Sequence, residues 1–220
     1  LVRGSGLLRL LPASLRNLEP LTPVAQAKST SQLFRAGLAA RNPAQPRYRV
    51  GLLSGCVQDL VFSDINRDTA DVLLANGCEV HTPSVQPCCG SLHAHNGEAE
   101  AAKTLAKRMI DLFPPSRFDA IITNAGGCGS HLKHYAALLK GDLVYEKRAH
   151  EWDRKVKDIH EWLAQIGVTA PSVVGAQEQV GTYHESCHLC HGQKVVSQPR
   201  QLLRLIPGLK LVELPESNWC

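Results

Sequence analysis

The chain predicts an α/β fold of two repeated cysteine-rich units, each a short parallel sheet flanked by helices, with the second unit truncated. Three observations carry that expectation. Thiols recur at matched spacing: Cys56 lies 32 positions before the Cys88-Cys89-Gly90 triplet, and Cys187 lies 33 before Cys220. Each leading thiol follows a short strand pattern, Val50-Gly51-Leu52-Leu53 in one half and Val180-Gly181-Thr182-Tyr183 in the other. A helical stretch then precedes a second strand, and strand, helix, strand with a crossover of this length makes a parallel unit. A repeat is weighed first because it sets the whole architecture.

Residues 1–46 read as a basic linker with short helical pieces, punctuated by Pro12, Pro20, Pro23, Pro43 and Pro46. Residues 1–50 hold eight Lys or Arg against Glu19 alone, a local +7 within a net charge of +4, so the remainder carries −3. The arm reads as a solvated connector, with a docking strip for a partner or an anionic membrane surface as the sharper alternative. Residues 47–150 are the first domain. Ile65, Thr69, Val72 and Leu73 mark a helix capped by Ser63 or Asp64 and stopped by Gly77. Cys78 to His81 alternates as a strand, and Glu98 to Leu112 is amphipathic, with Ala102, Leu105, Ala106, Met109 and Leu112 on one face. Phe118 to Thr123 is a buried strand that delivers Asn124-Ala-Gly-Gly-Cys128, and a helix over 131–140 follows. Residues 151–176 read as a helical connector and 177–220 as the second domain. There Pro199 to Ile206 is helical, Pro207-Gly208 stops it, and Leu209 to Leu214 is a strand.

In parallel sheets ligands gather beyond the carboxyl ends of the strands, where both thiols of each half would sit. Disulfides belong to secreted chains, and no secretory signal is visible here, since the Gly6 to Leu11 patch is short and broken by Arg9. A four-thiolate zinc site usually draws on two closely spaced Cys pairs, whereas these spacings are long. An iron–sulfur cluster, held by thiolates and tuned by burial and hydrogen bonds to sulfur, suits them better, with zinc kept as the alternative. Glycines 126, 127 and 129 would let backbone N–H groups approach the sulfurs closely.

The Cys56, Cys88-Cys89-Gly90 and Asn124-Ala-Gly-Gly-Cys128-Gly129 signatures resemble the cysteine-rich CCG domain of heterodisulfide-reductase-like electron-transfer proteins. The string Tyr183-His-Glu-Ser-Cys187-His-Leu-Cys190-His-Gly-Gln193, followed by Gln198-Pro-Arg-Gln-Leu-Leu203 and Ile206-Pro-Gly208, resembles the iron–sulfur subunits of bacterial glycolate oxidases. The resemblance runs from about Gly6 to the last residue. It implies [4Fe-4S]-type clusters on Cys56, Cys88, Cys89 and Cys128 and, in the second unit, on Cys187 and Cys220. It also implies flavin-containing partner subunits that oxidise glycolate to glyoxylate, a membrane quinone or other acceptor for the electrons, and a cytoplasmic location, peripheral to the inner face of the membrane. The family's ferredoxin-like run is absent, and the second cysteine set stops at Cys220, so the chain is expected to be a piece of a larger subunit. The related subunits of lactate or glycerol-3-phosphate oxidation, and a zinc-stabilised interaction scaffold, are the competing functions.

Other residues are weighed against this frame. Cys187-His-Leu-Cys190-His191 matches the short c-type haem motif, but no export signal accompanies it. Cys78 reads as a buried small hydrophobe, and Cys190 departs from the family pattern, in which that position is not a ligand. His93, His95 and His131 neighbour the first thiols and are given outer or surface roles rather than ligation. No phosphate loop or dinucleotide fingerprint occurs, nucleic-acid binding is not expected, and no stretch reaches the ~20 apolar residues of a membrane span. Grouped thiols also fit poorly with a single activated nucleophile. The hard chemistry would therefore belong to a partner's cofactor.

Overall fold

The computed structural model describes residues 6–34, 43–168 and 177–219. Four strands form the main sheet in the order β2-β1-β3-β4: β1 Tyr48–Leu52, β2 Cys78–His81, β3 Ala120–Thr123 and β4 Val156–Asp158. All pairings are parallel, so the carboxyl ends of the strands share one edge. β3 is buried along its whole length, as a strand covered on both faces must be. Its alternation feeds two cores, Ile121 into one and Ala120 and Ile122 into the other.

Helices cover both faces. Short α1 Ala13–Arg16 and α2 Thr30–Phe34 precede the sheet. α3 Cys56–Val61 and α4 Ser63–Ala75 link β1 to β2, and α5 Ser91–His95 and α6 Ala99–Leu112 link β2 to β3. After β3 come α7 Gly126–Leu132, α8 Tyr135–Leu138 and α9 Glu146–Lys155, and α10 Ile159–Ile166 follows β4. Met109 and Ile110 of α6, Leu132 of α7, Tyr135 of α8 and Trp152 of α9 fill one core. Phe34, Ala70 and Leu73, with Ile159, Trp162 and Leu163 of α10, fill the other. Gly51 has a steric reason to lack a side chain, because a Cβ there would come within 2.7 Å of Phe113 Cδ1.

The second unit pairs β5 Gln179–Gly181 with β6 Leu209–Leu211, also in parallel, and adds α11 Ser197–Leu203 and a π-helical turn, His188–Gly192. Its register repeats that of the first. Tyr48 pairs with Cys78 and Gln179 with Leu209, each 30 positions on. Cys56 follows Tyr48 by eight positions and Cys187 follows Gln179 by eight, so one offset of 131 relates both sets. Register thus pairs Gly181, not Val180, with Val50, and the sequence offset pairs Cys220 with Cys89. The two units touch directly: Gln193 Nε2 donates to Gly126 O at 3.0 Å, laying the π-turn region against α7.

Several expectations need correcting. Part of the arm is docked rather than solvated: Thr30 N–H donates to Asp59 Oδ1 at 2.6 Å, and Phe34 is buried in the second core. The stretch 151–176 is more than a connector, because β4 completes the sheet and α10 packs on it. Residues 169–176 lie outside the described residues. Ser63 does not cap α4, its hydroxyl instead donating to Lys28 O at 2.6 Å, and no side-chain cap closes that helix start. The helix expected over 131–140 divides into α7 and α8, and the Asp153 carboxylate of α9 accepts the Ala136 N–H. The clearest capping box lies elsewhere, at Asp158 and Glu161 of α10. Among the described residues, no helix is long and apolar enough to cross a membrane.

Candidate metal centre

Parallel pairing sends three loops to one edge of the main sheet, and each carries cysteine. Cys56 opens α3 after β1, Cys88 and Cys89 precede α5 after β2, and Cys128 lies in the first turn of α7 after β3. Gly55 and Gly90 take positive φ, 66° and 87°, to turn the chain into α3 and α5. The thiols meet: Cys56 Sγ stands 3.6 Å from Cys88 Sγ, and Cys89 hydrogen-bonds both Cys88 and Cys128 through its side chain. Gly90 N–H donates to Cys88 Sγ at 3.5 Å. Cys89 is buried, Cys88 and Cys128 are half-buried and Cys56 is exposed, so the set has one wet side.

Side chains from distant positions hold the three loops together. Gln86 Oε1 accepts the Ser54 N–H at 3.0 Å while its Nε2 donates to Leu52 O at 3.1 Å, tying the Cys88 loop to the Cys56 loop. Asn66, fully buried on α4, donates to Ser54 O and to Thr30 Oγ1, and its Oδ1 accepts from Asn124 Nδ2 of the Cys128 loop. Tyr135 OH donates to Cys89 O at 2.7 Å, and its ring stacks on Trp152. Sequence reasoning missed these residues. Only Asn66 left a legible sign, a polar side chain on the face of α4 that also carries Thr69 and Leu73.

The electrostatics of the set are those of neutral thiols crowded together. The hydrogen bond with Cys128, then burial, push the Cys89 thiol far up, and the same bond holds Cys128 down. Burial, then the contact with Cys88, push Cys56 up. The recess bounded by Cys89, Cys128, Leu53, Met109 and Leu132 has a volume of about 10 Å³, roughly room for one water. Among the described residues, no three His, Cys, Asp or Glu side chains surround a point that a single metal ion could occupy. The chemistry of the four sulfurs, brought from three loops with no carboxylate in the recess lining, would suit a thiolate-bound group. Ionising all four here requires a cationic metal group to offset their mutual repulsion. A polynuclear cluster spreads its thiolates over several metal atoms, so it does not need four sulfurs around one point.

In the second unit Cys187 stands at the equivalent place, directly before the π-turn, but it is disulfide-bonded. Cys220 lies outside the described residues. Cys190 is buried, and its hydrogen bond to Glu185 pushes the thiol up. Glu185 is in turn held by Arg200, which also bonds Glu213 and Ser217. Cys78 is fully buried in the second core, as the sequence implied.

Fold and site together define a cysteine-rich α/β protein that gathers thiols at a sheet edge. The cysteine-rich domain (CCG) profile matches residues 50–133 and 181–220, and the chain belongs to that family. A probable glycolate oxidase iron–sulfur subunit of Bacillus subtilis is 38% identical over all of this chain, which spans 49% of that protein. Lactate utilization protein A of Oceanobacillus iheyensis is 34% identical over 78% of this chain and 69% of its own length. An uncharacterized iron–sulfur protein of Methanocaldococcus jannaschii is 33% identical over 79% of this chain and 32% of its own length. The chain thus spans about half the length of the first of these relatives. No solved structure matches.

Proposed function

We propose that this chain is the iron–sulfur electron-transfer part of a complex that oxidises a small 2-hydroxy acid, with glycolate as the substrate. The convergence of Cys56, Cys88, Cys89 and Cys128 at one sheet edge carries the reading, and the names of the relatives support it. These four thiols would hold a [4Fe-4S]-type cluster; Cys187, disulfide-bonded in this structure, would join Cys220 at a second site only after that bond is reduced. Such a group takes up and releases single electrons. The chain's own part is to hold and tune. Gln86, Asn66 and Tyr135 fix the three loops, and the Gly90 N–H, directed at Cys88 Sγ, favours added negative charge on sulfur. The apolar wall of Leu53, Met109 and Leu132 keeps water from the inner side, while exposed Cys56 leaves a short outer path for electrons.

The partners on this reading are a flavin-containing subunit that removes the two electrons and a quinone or other acceptor, with the assembly in the cytoplasm or against the inner membrane face. A lactate-oxidising complex is the second reading, favoured by the similarity to lactate utilization protein A. Anaerobic purification of the intact protein tests the cluster. Iron and acid-labile sulfide with a broad visible absorption band are expected, and stoichiometric zinc without sulfide would refute it in favour of a scaffold. Reduction of that band by the co-purifying flavoprotein with glycolate or with lactate separates the two substrates.

A further inference from the structure

A cavity of about 610 Å³ lies between the two units, bounded by α4 and α10 of the first and by α11 of the second. That volume falls within the ~300–1,000 Å³ of small-molecule sites, which favour such boundaries. The walls are apolar: Val72 and Ala75 of α4, Leu163 of α10, and Leu202, Leu203 and Ile206 in and just beyond α11. Among the described residues, no Asp, Glu, Lys or Arg lines it. A carboxylate or phosphate would meet no balancing cation there, so the cavity suits an uncharged ligand.

Two polar side chains mark one end. His160 stands in the first turn of α10, after β4, and Tyr183 follows β5, so both lie toward the carboxyl edges of their sheets, where ligands gather. Buried Asp158 accepts through Oδ1 from the His160 backbone N–H at 2.9 Å and from its ring Nδ1 at 2.7 Å. A carboxylate only accepts, so Nδ1 carries the proton and Nε2 is the ring nitrogen with a lone pair for a ligand. Tyr183 is half-buried, with the Arg200 guanidinium over its ring at 5.1 Å. Its hydroxyl can donate to a carbonyl or accept from a hydroxyl. Ala75 and Asn76 end α4 ahead of β2, and Ile206 precedes β6, so they lie toward the opposite edges. Asn76 donates its Nδ2 to Val72 O within its own helix. The cavity thus runs along the helices from a hydrogen-bonding end to an apolar one.

We infer that this cavity binds an uncharged flat ring that carries hydrogen-bonding oxygen and an apolar chain, the chemistry of an isoprenoid quinone or quinol. The ring oxygen meets His160 Nε2 and the Tyr183 hydroxyl, and the chain lies along Leu163, Leu202 and Ile206. Binding stands on the cavity alone. That the ring accepts electrons rests on the relay proposed above.

The test titrates the intact protein with 2-heptyl-4-hydroxyquinoline N-oxide, a ring of this class with an alkyl chain, followed by its own fluorescence. Saturable binding at one site per chain is expected. Ala75→Trp fills the cavity from an exposed position and should abolish it. Tyr183→Phe and His160→Phe keep the rings and remove their polar atoms, so together they should weaken binding about tenfold or more. No saturable binding to the wild type, or an affinity unchanged by Ala75→Trp or by the double substitution, overturns the inference. Should Ala75→Trp not fold, Val72→Trp on the same exposed wall takes its place; should the double variant not fold, Tyr183→Phe alone must weaken binding several-fold, and an unchanged affinity overturns the inference. Probe bound by a protein that carries no iron leaves this site standing and refutes the relay, whereas iron and sulfide without bound probe do the reverse.

Discussion

Replacing Gly129 by Ala should destabilise the protein, although Ala is the better helix former. Gly129 sits in α7 one residue after Cys128, where the second unit's Gln193 crosses it. A Cβ at 129 would approach Gln193 Cδ and Oε1 to 2.8 Å, inside van der Waals contact. Gln193 is buried and its Nε2 donates to Gly126 O, so swinging the side chain aside breaks that bond. Helix propensity favours Ala by ~1 kcal/mol. Overpacking costs ~1–3 kcal/mol, and displacing Gln193 forfeits a hydrogen bond worth ~1 kcal/mol. The balance is a net loss of about 1–3 kcal/mol. In a Gln193→Ala background the obstruction is gone, and the same substitution should be neutral or stabilising by up to ~1 kcal/mol. Urea midpoints for the four proteins of this double-mutant cycle, at constant m value, give the coupling directly. Additive effects, or a Gly129→Ala protein as stable as wild type, would show that Gln193 does not clamp the Cys128 helix.

Three further outcomes follow from the same structure. Cys89→Ser replaces a soft ligand with a hard, weakly acidic one, so metal and visible absorption should be lost while far-ultraviolet circular dichroism stays near wild type; normal acceptor reduction by a variant shown to lack metal would refute the relay role. Arg200→Ala leaves the buried Glu185 carboxylate without its guanidinium and should cost ~3–5 kcal/mol, largely recovered by adding Glu185→Gln; a loss below ~1 kcal/mol would mean the pair is solvated. Burial raises the Asp153 carboxyl to a pKa of about 6, so the folded protein holds its proton more tightly than the unfolded chain does. That contribution is complete below about pH 4 and lost as the pH rises through about 6, so Asp153→Asn should flatten stability between those limits, and an unchanged slope in denaturant midpoints would exclude Asp153 as the cause.

The thiol repeat, the strand–helix–strand alternation and the parallel sheet were legible because they are local: period, spacing and turn residues lie within a few dozen positions. Cys56, Cys88, Cys89 and Cys128 could be singled out on that basis and are the cysteines the fold brings together. The boundaries were less legible. Ser63 looked like a helix cap, but its hydroxyl was taken by a carbonyl 35 positions earlier. β4 escaped notice because Val156-Lys157-Asp158 is too short to show a period and becomes a strand only by pairing with β3.

By itself the sequence determined that thiols recur at the ends of strands, since residue type and spacing are written in the chain. Only the tertiary structure decided what surrounds them. Gln86, Asn66 and Tyr135 reach the cysteine loops from positions whose nearness exists only after the sheet has formed. Hydrogen bonds between residues 12 to 46 positions apart leave no periodic trace, so the cysteines could be read along the chain and the frame that holds them could not.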